Sequence, residues 1–111
     1  MTVAANLLQC LSELAQIDRT FNVRQISVLL LVAENPGCSV EDLAGWLGIK
    51  NSSAVTRITD YLGHGIERYN ITALELIRRQ SNQPPYTYEL TDKGREMIEK
   101  FEGYFEAGNE S

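Results

Sequence analysis

The stretch from Ser39 to Leu62, SVEDLAGWLGIKNSSAVTRITDYL, constrains the chain most, because it encodes two short helices separated by a tight turn. Ser39 followed three residues on by Asp42 is a capping-box start. Val40, Leu43, Ala44 and Leu47 then recur at helical spacing as an inward stripe. Gly48 stops this helix. The second helix can take Asn51 or Ser52 as its N-cap and buries Val55, Ile58 and Leu62, which leaves Ser53, Thr56, Arg57 and Asp60 mostly exposed. Two helices on so short a connection, the second with small polar side chains and one arginine outward, make a helix-turn-helix with a surface suited to a nucleic-acid groove.

The flanks predict what packs on this unit. Residues 4–17 place Leu7, Leu8, Leu11, Leu14 and Ala15 at helical spacing. Residues 23–34 are more continuously apolar. Val23, Ile26, Leu29, Leu30 and Ala33 lie on one side, with Val28, Leu31 and Val32 closing much of the rest, so this should be the most buried helix. Pro36-Gly37 ends it. Beyond Leu62, Gly63 and Gly65 are placed to cap the second helix of the motif. Leu74, Leu76 and Arg78 alternate with Glu75, Ile77 and Arg79, and Tyr86, Tyr88 and Leu90 alternate with Thr87 and Glu89, which predicts two antiparallel strands around a turn, SNQPP. A hairpin placed there is a wing. Thr91 caps a last helix from Asp92 to about Phe105, striped by Met97, Ile98, Phe101, Tyr104 and Phe105.

The expected architecture is therefore mainly helical with a small β-hairpin, a single winged helix-turn-helix domain over residues 1–111 with its core at 23–91. The segments 1–22 and 92–107 carry the same i, i+1, i+4, i+7, i+8 apolar pattern, more than one small unit can cover. Leu7, Leu8, Leu11 and Leu14 with Met97, Ile98, Phe101, Tyr104 and Phe105 are thus expected to meet a second subunit in a homodimer.

Charge is unevenly divided. Residues 1–49 hold two basic and five acidic groups, net −3; residues 50–79 hold five and three, net +2; residues 80–111 hold three and seven, net −4. The one positive third contains the candidate reading helix, while the overall −5 argues against a simple basic binder. No apolar run approaches the roughly 20 residues needed to cross a bilayer, and the start lacks the basic flank of a signal peptide, so a cytoplasmic protein without membrane contact is expected. Cys10 and Cys38 lack metal-ligand spacing and read as buried thiols rather than redox sensors. With His64 alone, no Cys-His or Ser-His-Asp constellation can be assembled, and no phosphate loop is present. An enzyme, a metal or a cofactor is not expected.

Several pieces in order resemble the MarR-type winged-helix regulators: Gln25 through Leu31, Leu43-Ala44 with Leu47-Gly48-Ile49, Ser53 through Arg57, Asp60 with Leu62, and Leu90 through Gly94. The resemblance covers roughly residues 24–101. It implies a dimer of intertwined terminal helices carrying two winged units that bind double-stranded DNA, most simply as a repressor. It makes Ser53, Thr56 and Arg57 candidates for major-groove and phosphate contacts, and Arg78 and Arg79 for phosphate contacts from the wing. There are three departures. The turn 48–52 is one residue longer than the common pattern, the wing tip has SNQPP in place of Asp-x-Arg, and both Gly65–Arg68 and Leu76–Arg79 resemble the strand leading into the wing. The second is preferred because it leaves a short tip.

Each site residue has a plainer reading. Arg57 can reach guanine or phosphate, or pair at the surface with Asp60. Lys50 and Asn51 sit where the helix starts, and Ser52 and Ser53 serve equally as caps or contacts. Trp46 is expected to cover the core edge and His64 to be an exposed linker residue. Tyr86 and Tyr88 read as strand packing, with a small-molecule effector pocket as the other reading. A second functional class, a winged-helix module that docks on another protein with little DNA binding of its own, is motivated by the acidic balance.

Overall fold

In the computed structural model, which describes residues 2–64 and 74–109 (107–109 by backbone alone), the elements run α1 (Val3–Ile17), α2 (Val23–Glu34), β1 (Cys38–Ser39), α3 (Val40–Leu47), α4 (Ser52–Leu62), β2 (Ile77–Arg79), β3 (Thr87–Leu90) and α5 (Asp92–Asn109). Side chains set most of these starts. Asn22 and Gln25 close a reciprocal capping box at α2 (2.9 and 3.0 Å), and Ser39 and Asp42 close another at α3 (3.1 and 3.0 Å). Gly48 ends α3 at φ +69°, the left-handed conformation that glycine adopts without strain. Of the two N-caps open for α4, Asn51 takes the role, accepting from Ser53 N at 2.9 Å. The expected cap at Gly65 and the alternative strand at Gly65–Arg68 lie outside the described residues.

The wing is entered by β2, the preferred alternative. β2 pairs antiparallel with β3, Ile77 opposite Leu90 and Arg78 opposite Glu89. A third strand, β1, joins the other edge of β3, with Cys38 opposite Tyr88. Two residues are too few to show an alternating pattern, so nothing in the sequence marks β1.

The core lies where α2 crosses α3, α4 and the sheet. Val28, Leu29 and Val32 of α2 are fully buried against Leu43, Val55, Leu62, Leu76 and Ile77. The terminal helices pack on each other through one edge of the expected stripe. α1 buries Asn6, Cys10 and Leu14, whereas Leu7, Leu11 and Ala15 are exposed and Leu8 is 64% exposed. The leucine stripe is wider than the surface α5 offers, so α5 covers only one edge of it. On α5, Phe101 is buried, and Met97, Ile98, Tyr104 and Phe105 are half-buried against the core. Glu13 clamps the pair, accepting from Lys100 Nζ at 2.7 Å and from the Tyr104 hydroxyl at 2.8 Å. Lys100 first, then Tyr104, holds the Glu13 carboxyl below its ordinary range. Burial raises both cysteine thiols, which disfavours the reactive thiolate.

Between α4 and α5 the chain comes back to where it left. Leu74 N, Leu76 N and Glu75 N donate to the carbonyls of Tyr61 (3.1 Å), Leu62 (2.7 Å) and Gly63 (2.8 Å). Thr91 fastens α5 onto this junction: its hydroxyl donates to Glu75 O at 2.6 Å and accepts from Gly94 N at 3.1 Å. A Cβ on Gly94 would lie 2.1 Å from the Leu76 carbonyl oxygen, so the first turn of α5 rests directly on backbone. This is the physical reason for the Leu-Thr-Asp-Lys-Gly run. Gly94→Ala is expected to cost about 2–3 kcal/mol by overpacking against an unyielding group. Gly103→Ala, where a Cβ meets nothing within 4 Å, should stabilise by about 0.5–1 kcal/mol through helix propensity. Urea unfolding of the two variants checks both signs.

Candidate nucleic-acid interface

The outer face of α4 carries Ser52, Ser53 and Arg57 exposed, with Thr56 half-buried between them. Ser53 and Arg57 are one turn apart and share a face. Thr56 donates back to Ser52 O at 3.1 Å, which leaves its hydroxyl oxygen to accept. Lys50 and Asn51 are exposed at the N-terminus of the helix, where free backbone N–H groups and the helix dipole favour an anion. The structure thus brings Lys50, Asn51, Ser52, Ser53, Thr56 and Arg57 together on one surface.

Asp60 is not on it. Expected to be mostly exposed, it is 3% exposed and turned inward, with Oδ1 3.6 Å from Arg79 NH2 on β2. Its neighbour Thr59 is buried too, donating to Thr56 O at 2.8 Å and sharing a hydrogen bond of 3.3 Å with the Tyr88 hydroxyl. The error is one of phase: Val55, Thr59 and Leu62 share the inward stripe at i, i+4 and i+7, and Asp60 lies beside it. Asp60 therefore pairs with the wing instead of with Arg57. Burial raises its carboxyl above the ordinary value, against the opposing pull of Arg79 and His64.

The wing arginines are both engaged. Arg79, 31% exposed at its side chain, lies between Asp60 and the ring of Tyr86, its guanidinium carbon 4.1 Å from the ring centroid. Arg78 is 60% exposed and meets Glu89 across the strands at 2.9 Å. Hydrogen bonds from Arg78 and then Gln80 hold the Glu89 carboxyl below its usual range, so the pair is charged on both sides. Of the four cations expected at the site, Lys50 and Arg57 make no ion pair among the described residues. Tyr86 is accounted for by Arg79, and Tyr88 is buried in the core. Trp46, expected at the core edge, is 51% exposed on α3, just outside the stripe of Val40, Leu43 and Ala44. His64 is exposed as expected.

One contact that the sequence pattern does not mark joins α4 to the far end of α1. The Tyr61 hydroxyl of α4 donates to Asp18 Oδ2, and the Tyr61 ring meets Phe21 edge-on at 5.8 Å. No local signal links residues 43 positions apart.

Removing either half of the Asp60–Arg79 pair should have unequal effects. Arg79→Ala leaves a buried carboxylate alone and is expected to cost about 1–3 kcal/mol at pH 7, whereas Asp60→Asn leaves a partly solvated guanidinium and costs less than about 1 kcal/mol. Without Arg79 the folded-state pKa of Asp60 rises further. The unfolded chain then binds the proton less tightly than the folded one, and the Arg79→Ala deficit should shrink as pH falls toward the unfolded value of about 4. Unfolding free energies measured from pH 7 to pH 4 check the sign.

No protein-family model matches the chain, and no match was found among curated proteins. Solved structures do match. Rv1404 of Mycobacterium tuberculosis superposes with a TM-score of 0.64 at 23% identity, over 95% of this chain and 68% of that one. The multiple antibiotic-resistance repressor MarR of Listeria monocytogenes superposes with a TM-score of 0.59 at 19% identity, over 97% of this chain and 78% of that one. Five helices and a three-stranded antiparallel sheet among the described residues, with these superpositions, show that the chain has a MarR-type winged-helix fold.

Proposed function

We propose that the chain is a sequence-specific double-stranded DNA-binding regulator of transcription, acting in the cytoplasm as a homodimer and without catalysis. The carrying observation is the outer face of α4. Ser52, Ser53, Thr56 and Arg57 lie beside Lys50 on a helix whose nearest acid, Asp60, is withdrawn into the interior. A helix of this chemistry reads base edges in the major groove while its N-terminus meets phosphate. Arg78 borders the DNA from the wing with its charge matched by Glu89, and Arg79 holds the wing in place. Repression follows as the simplest output, a dimer occluding a promoter, and it is also what the name of the Listeria protein says of that protein.

The dimer rests on the terminal helices. Leu7, Leu8 and Leu11 stand uncovered on α1, and the radius of gyration, 14.5 Å, exceeds the roughly 13 Å of a compact chain of this length. A second copy laid against α1 and α5 would cover that stripe and place two α4 helices for a palindromic site.

The paired wing arginines favour modest affinity. With Lys50 and Arg57 of two subunits neutralising about four phosphates, log K should fall with log salt at a slope of about −4. Glu89→Gln, which frees Arg78, should tighten binding and steepen that slope. Selection from random duplexes should enrich a palindrome, and Arg57→Glu should abolish its binding while the dimer persists. The acidic balance, net −5, supports a second reading, in which α4 docks on another protein. Failure to enrich any duplex, together with loss of a captured protein partner on Arg57→Glu, would establish that reading instead.

A further inference from the structure

Tyr61 sits where three parts of the chain converge. It belongs to the last turn of α4, its backbone carbonyl accepts from Leu74 N at 3.1 Å as the chain returns toward the wing, and its hydroxyl reaches Asp18. Asp18 is the C-cap residue of α1, its own N–H donating to Leu14 O. The Asp18 carboxylate is held on both oxygens: Oδ1 accepts from Thr20 N at 2.8 Å and from the Thr20 hydroxyl at 2.6 Å, and Oδ2 takes the Tyr61 hydroxyl. Phe21, just beyond, braces the Tyr61 ring edge-on. Through these contacts the end of α1 grips the end of the reading helix directly. The grip is a charge-assisted hydrogen bond on a half-buried ring, which is strong and directional.

We propose that the Tyr61–Asp18 hydrogen bond is a positioning latch that fixes the orientation of α4 relative to α1. In the DNA-binding dimer proposed above, on which this second consequence rests, α1 is the dimer-forming helix, so the latch sets the separation and tilt of the two reading helices. Tyr61 is then a specificity-determining residue that touches no base. It selects half-site spacing, while Ser53, Thr56 and Arg57 select the half-site itself.

Tyr61→Phe removes the hydroxyl and keeps the ring on Phe21. Asp18→Ala removes the acceptor, and Asp18→Asn keeps one. The full-length chain carries spin labels on cysteines introduced at Ser12 and Ser53, both exposed, and is diluted with unlabelled chain so that distances within one chain are read; the native cysteines are buried. The parent and Asp18→Asn should show one narrow α1–α4 distance. Tyr61→Phe and Asp18→Ala should broaden or shift it beyond the width of the parent peak, with helix content unchanged. An unchanged distribution in both variants overturns the latch. On DNA, the unlabelled Tyr61→Phe protein should bind the best-spaced palindrome and those one base pair (about 3.4 Å) longer or shorter with severalfold less discrimination than the parent, at unchanged affinity for a single half-site. Retained discrimination overturns the role in spacing. If the parent enriches no duplex, the DNA reading fails, and the distance measurement alone decides whether the latch orients α4.

Discussion

The last turn of a helix leaves carbonyls with no intrahelical donor, and here α4 ends in the interior, where water cannot supply one. The chain supplies it from its own return. Leu74, Glu75 and Leu76 donate to Tyr61, Gly63 and Leu62, and the remaining architecture hangs on that closure. It sets the point from which β2 starts, and so where the wing stands relative to α4. It forces Glu75 to φ +58°, an uncommon conformation for a residue with a side chain. It presents the Leu76 carbonyl to Gly94 and the Glu75 carbonyl to Thr91, which seats α5. Backbone satisfaction at one helix end thus ties α4, the wing and the C-terminal helix together.

Electrostatics is arranged around the same end. A carboxylate on the outer face of α4 would repel a phosphate, and α4 turns its only acid inward to Arg79, which in turn stacks on Tyr86. The arrangement clears the outer face of α4 of its own negative charge and cross-links helix to wing, while it occupies a cation. Arg78 is similarly matched by Glu89. For a chain whose net charge is −5, binding would therefore depend on a few well-placed cations and base contacts rather than on a basic field.

Much of this was legible in the sequence because local rules agreed. The reciprocal cap at Ser39, Gly48 as a stop and the alternating residues of the hairpin mark their elements directly, and α2 spans 23–34 as its apolar run implies. The exposure of Ser53 and Arg57 also followed from helical phase. What was not legible depends on partners distant in sequence. The choice between the two edges of the α1 stripe is made by α5. The inward turn of Asp60 is made by a cation on β2, and the Asp18–Tyr61 contact joins segments with no shared pattern. β1 exists only because β3 offers it an edge.

If the proposed function holds, the face built by Lys50 through Arg57 is the surface that meets DNA. Backbone amide mapping by NMR, with the selected duplex titrated into the full-length protein, tests it most directly. The largest perturbations are expected at Lys50–Arg57, a smaller set around Arg78, and none along α1. Perturbations concentrated on α1 and α5, with the α4 amides unmoved, would contradict it.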